Sequence, residues 1–158
     1  MMKRMFLGAV AAIVLTTGAG AQQLALPYGS PVTLAQAKRI VAAAEQSAQS
    51  RNFTMAFAIV EPSGELVLFH KMDGTQYGSD LVAREKARTA ARFKRSTKAF
   101  FDSIAGGRNA VLSLPGVVAI EGGTPIVING QIVGAIGVSG GTSEQDGEVA
   151  AAALIGLE

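Results

Sequence analysis

Residues 129–157, NGQIVGAIGVSGGTSEQDGEVAAAALIGL, decide the fold. They read as turn, strand, glycine corner and helix. Asn129-Gly130 is a hairpin signal, because both residues tolerate the positive φ of a tight turn. Residues 131–138 are apolar apart from Gln131, Gly134 and Gly137, which predicts a strand buried on both faces. The two glycines remove side chains where a neighbouring backbone or a ligand comes close. Ser139-Gly140-Gly141 then turns the chain. Thr142 followed by Gln145 is a capping box. Glu144 and Asp146 place negative charge on the first helical turn, where the helix dipole favours it. The alanine-rich remainder carries the helix to the C-terminus.

Working outward, residues 117–121 and 124–128 read as two further strands. Leu114-Pro115-Gly116 and Gly106-Gly107 are breaks before them. Ser79 or Asp80 opens a helix running to Phe93, and Ser96 caps a shorter one through Ile104. Residues 53–60 and 65–72 are a strand pair joined by Glu61-Pro62-Ser63-Gly64, with Pro and Gly in turn positions. On the second of these strands, alternation puts Leu66, Leu68, His70 and Met72 on one face and Val67, Phe69 and Lys71 on the other. Thr33, with Gln36 at the capping-box position, starts a helix whose buried stripe is Leu34, Ala37, Ile40, Val41, Ala44 and Ala48. Lys38, Arg39, Glu45 and Gln49 take its other side. Strands joined by short turns, with helices grouped between them, predict an α+β fold: one five-stranded antiparallel sheet with packed helices.

Residues 1–21 read as a secretory signal peptide. Lys3 and Arg4 precede an apolar core, and Ala19-Gly20-Ala21 is a small-x-small cleavage site. The apolar run is short for a membrane span, so no span is expected after signal removal. The expected location is periplasmic or secreted. Residues 22–32 read as a linker and 33–158 as one domain. Removing the first 21 of 158 residues leaves 137, enough for a single core. With Lys3 and Arg4 gone, the 14 basic residues fall to 12, against 12 acidic. That balance argues against a nucleic-acid partner.

The catalytic inventory is thin: no Cys and one His. This excludes a two-histidine metal site within one chain, a Cys–His nucleophile pair and a zinc site of the usual ligand kind. Catalytic residues are therefore unknown. His70 is the residue best suited to bind a metal or haem iron, because neutral imidazole is a common iron ligand; otherwise it is a half-buried strand residue. Met72 is a soft donor two residues on, about 7 Å away by strand rise. The helix from Arg84 to Lys98 is basic on its exposed side. It is either a solvated face or a pocket wall that binds carboxylates. Lys86 and Thr89 share one side of it. Gly122-Gly123 is either a plain strand connection or an amide cradle for an anion.

Five segments resemble the haem-binding GlcG/HbpS family, also labelled haem-degrading domains. They are TLAQAKRIVAAAE (33–45), KMDG (71–74), KARTAARF (86–93), GVVAIEGGTPIV (116–127) and AIGVSGGTSEQD (135–146), in family order. The resemblance implies a ligand-binding protein for haem or a related tetrapyrrole, assembled as a homo-oligomer. Alanine-rich faces such as residues 150–153 permit close packing on a symmetry mate. It implies haem in a subunit groove, with an axial ligand from His70 or an oxygen side chain and propionates near Lys86. As a second reading, it also supports an enzyme or accessory binder for a small organic acid. That pocket would be formed by Lys86, Thr89, Gly122, Gly123 and residues 137–141.

Overall fold

The computed structural model describes residues 25–157. The expected signal peptide lies outside the described residues, as does the start of the 22–32 stretch. Helix α1 (Leu34–Ser50) begins at Thr33 with both halves of the capping box formed. Strands β1 (Ala56–Val60) and β2 (Leu66–Lys71) follow, then α2 (Ser79–Phe93), α3 (Thr97–Ala105) and a 3-10 turn (Asn109–Ser113). Strands β3 (Gly123–Ile128) and β4 (Gln131–Ser139) and helix α4 (Ser143–Ala152) complete the order. Thr142 caps α4 with the same two-way hydrogen bonding to Gln145.

The sheet is antiparallel with order β2-β1-β4-β3, so the apolar strand β4 lies inside it. On the α2 face its cross-strand pairs with β1 are Ala56 with Ser139, Ala58 with Gly137 and Val60 with Ala135. These small residues, with Phe69 from β2, form the layer under α2, where Ala83, Ala87, Ala90 and Ala91 are all buried. Gly137 is what lets the helix come so close. A Cβ there would fall on the Ala83 carbonyl oxygen and 2.6 Å from the Ala87 amide nitrogen. The opposite face is larger. Phe57, Ile59, Ile126, Ile136 and Val138 pack against Ile40, Val41, Ala44 and Val149 of α1 and α4. Leu34, expected in the α1 stripe, is 50% exposed instead.

The sheet has four strands where the sequence predicted five. Residues 117–121, apolar as far as Ile120, make no ladder. Leu114-Pro115-Gly116 turns the chain before them, with Gly116 at φ 73°, and Gly122 at φ 124° breaks the run after them. Between these turns the Val118 amide donates to Thr89 Oγ1 at 3.0 Å. The segment is thus docked on α2 rather than paired. The open part of β4 beyond the end of β1 is covered by residues 27–32. Gly29 donates to the Ile132 carbonyl at 2.9 Å, and Val32 to that of Val133 at 2.7 Å. Tyr28 makes a parallel bridge to Ile132. Its hydroxyl donates to the Ala91 carbonyl at the end of α2, 2.8 Å away.

Candidate functional site

His70 sits on β2, an edge strand, opposite Phe57 of β1. Alternation turns both toward α1. The imidazole stacks on the Phe57 ring, centroids 6.0 Å apart and planes 22° from parallel. Its Nε2 lies 3.5 Å from Glu45 Oε2 of α1, and the two side chains are 39% and 33% exposed. Gln49 Nε2 donates to the other Glu45 oxygen at 3.2 Å. The ring therefore has a fixed floor, a carboxylate beside it and an open side to solvent. Met72 is half-buried against the α1-side core. Leu68 packs there as well. A bulge between Ile59 and Val60 breaks the expected alternation, setting Leu66 opposite Val60 of the α2-side layer and Val67 on the α1 side, so the apolar neighbours of the imidazole on its own face are Leu68 and Met72.

An open cleft of about 410 Å³ follows directly along the chain, lined by residues 71–77, including the whole of KMDG. Lys71 points to the α2 side and pairs with Asp80 Oδ1 at 3.0 Å. That oxygen has no hydrogen bond of good geometry, so the pair is held by charge rather than by alignment. The Lys71 ammonium also lies 4.9 Å from the centroid of Tyr77, whose side chain is 92% exposed.

Lys86, Thr89, Gly122 and Gly123 do come together, on the α2 side of the sheet and away from His70. They are packed against protein. Lys86 is 1% exposed, and its ammonium donates to Asp146 Oδ2 at 2.6 Å and to the Val138 carbonyl at 3.1 Å. Asp146 accepts from the Gly141 amide at 3.0 Å through its other oxygen. Burial pushes the Asp146 carboxyl above its usual range, while the Lys86 ammonium pulls it back down. Thr89 is fully buried; its hydroxyl donates to the Gly116 carbonyl at 3.2 Å and accepts from Val118. A Cβ on Gly122 would stand 2.9 Å from Lys86 Nζ, and one on Gly123 would fall on the Lys86 carbonyl. These glycines thus give room to the lysine and its helix, and Gly137 does the same for Ala83. The space expected for an organic acid is filled by the chain itself.

The basic face of α2 is neither simply solvated nor a pocket wall. Arg88 Nε donates to the Gly64 carbonyl at 3.1 Å and Arg92 Nε to that of Ser63 at 2.8 Å. Arg84 lies over the Phe69 ring, 5.0 Å from its centroid. The arginines staple the β1–β2 turn to the helix. Two partners escaped sequence reasoning. Glu45 reads as one more polar residue on the outer face of α1, and only the α1–β2 packing brings it to His70. Asp146 reads as a first-turn acid, and only its contact with α2 buries it. The GGTSEQD corner was the one available hint. Among the described residues, no group of three or more His, Asp or Glu side chains could hold a metal ion. No described helix is long and apolar enough to cross a membrane.

Comparison with known proteins agrees with this architecture. A family model described as haem-degrading protein HbpS-like matches residues 32–155. Protein GlcG of Escherichia coli strain K12 is 40% identical over 103 residues, covering 65% of this chain and 77% of GlcG. The crystal structure of a double mutant of Streptomyces reticuli HbpS superposes with a TM-score of 0.75 at 26% identity, over 95% of this chain and 99% of that one. The crystal structure of a PduOC–haem complex gives a TM-score of 0.71 at 26% identity, over 78% and 93% of the two chains.

Proposed function

We propose that this chain, which belongs to the family of HbpS-like haem-degrading proteins, binds haem or a related tetrapyrrole, with His70 as the nitrogen ligand of the iron. The observation that carries the reading is the likeness to a relative whose structure is a haem complex. The chain's own residues fit that group. His70 is the one imidazole in the sequence, and it is half-exposed on an edge strand, stacked on Phe57 and flanked by Leu68 and Met72. Haem brings an iron with axial positions open to such a nitrogen. Phe57 orients the ring, and the apolar strand face offers a surface for the macrocycle. Lys86 is committed to Asp146 and is not placed to meet a propionate.

Two features of the biological setting belong to the same proposal. The protein is exported, on the strength of the basic start, apolar core and Ala19-Gly20-Ala21 site. It also works as a homo-oligomer. Of the alanines offered for packing on a mate, Ala150 and Ala153 are core residues, Ala152 is half-buried and Ala151 is exposed. A better support is the apolar surface of Phe101, Leu112, Leu114 and Ile120, each between 40% and 67% exposed. Hemin titration followed by absorbance tests the central reading. Wild type is expected to give a saturable Soret band. His70→Ala is expected to shift that band and weaken binding by more than tenfold, which is 1.4 kcal/mol or more. An unchanged band at full affinity in His70→Ala removes His70 as the ligand.

A further inference from the structure

Glu45 of α1 is the acidic side chain beside the His70 imidazole. Its Oε2 is 3.5 Å from His70 Nε2. Two donors held about 2.1 Å from one tetrahedral ion stand about 3.4 Å apart, which is the edge of a first coordination shell. We propose that His70 and Glu45 form a chelate for a small hydrated dication of the Zn2+ or Cu2+ class. The donors come from different elements, β2 and α1, so the gap between them is set by packing and not by a flexible loop. Each is already oriented, the imidazole by its stack on Phe57 and the carboxylate by the Gln49 amide on its far oxygen. Pre-orientation lowers the ordering cost of binding. Both side chains keep an open side, at 39% and 33% exposure, so water can complete the shell.

The donor set selects the ion. One imidazole and one carboxylate suit late first-row dications, whereas Ca2+ and Mg2+ require oxygen ligands throughout. Two protein donors make a weak site, of micromolar or poorer affinity. The same nitrogen is the haem ligand of the preceding section, so the ion and haem iron exclude one another there. The chelate does not depend on the haem reading, because it follows from the Nε2–Oε2 distance alone.

Calorimetric titration of the purified protein with Zn2+ tests it, alongside Glu45→Gln, His70→Gln and hemin titrations of all three. Circular dichroism melts confirm that the variants are folded, as expected for half-exposed positions. One Zn2+ per chain is expected for wild type, with affinity at least tenfold weaker in Glu45→Gln and no saturable binding in His70→Gln. Hemin added first should abolish the Zn2+ signal. Equal Zn2+ affinity in wild type and Glu45→Gln overturns the chelate, as does saturable binding that survives in His70→Gln. If hemin fails to bind wild type while the Zn2+ pattern holds, the haem reading falls and the chelate stands. If hemin binds both wild type and Glu45→Gln but wild type takes up no Zn2+, the chelate alone falls.

Discussion

At the scale of single residues, the decisive contacts are those where a side chain is missing or a charge is buried. Gly137 has no room for a methyl group beneath Ala83. Gly137→Ala is therefore expected to force α2 off the sheet and cost about 1–3 kcal/mol, as overpacking does; a urea unfolding curve measures it. The Lys86–Asp146 pair is 1% and 4% exposed. Removing one partner leaves the other charged and unpaired. Lys86→Met is expected to cost about 3–5 kcal/mol in the same assay. The double variant with Asp146→Leu should recover part of the loss, because no orphan charge remains. A double variant worse than the sum of the singles would contradict this account. The residue types were legible in the sequence, but their roles were not. Spacing put Lys86 and Thr89 on one side of a helix, yet it could not say that the side faces Asp146 and Val118 instead of a ligand.

Elements were read more reliably than residues, because caps and periodicity are local. Both capping boxes formed as Thr33-Gln36 and Thr142-Gln145 announced. Thr142→Ala is expected to lower stability by about 1 kcal/mol, read as a drop in melting temperature. The miss lies at 117–121. Its apolar run has the composition of a strand, but turns at Gly116 and Gly122 bound it, and its Val118 amide goes to the Thr89 hydroxyl and not to the outer edge of β3. The buried Thr89 hydroxyl holds its start, accepting from the Val118 amide and donating to the Gly116 carbonyl. Thr89→Val keeps the shape and removes both hydrogen bonds. Faster amide exchange at Val118, with β4 still protected, is the expected result; unchanged exchange there would show that the segment is held by other contacts. Tyr28, in the stretch read as a linker, lies beside β4 with its hydroxyl on the end of α2.

For the whole molecule, two expectations remain to be measured. N-terminal sequencing of protein from a cell-envelope fraction should begin at Gln22; full-length protein in the cytosol would refute export. Light scattering at micromolar concentration should report a multiple of the mature mass, and Leu112→Asp should reduce it; a monomer at every concentration would refute assembly. The sequence by itself determined what depends on near neighbours: the α+β class, the order of helices and paired strands, both capping boxes, the tight turn at Asn129-Gly130 and a family resemblance spread along the chain. It also bounded the chemistry, since one His and no Cys leave few ways to hold a metal. The tertiary structure alone decided which faces meet. It put His70 beside Glu45 on the α1 side of the sheet and Lys86 against Asp146 on the other. It also laid residues 27–32 along the part of β4 beyond the end of β1. These outcomes rest on contacts between residues 25 or more apart in the chain. Such contacts are chosen by the fit of whole surfaces, and no local pattern of residues encodes them.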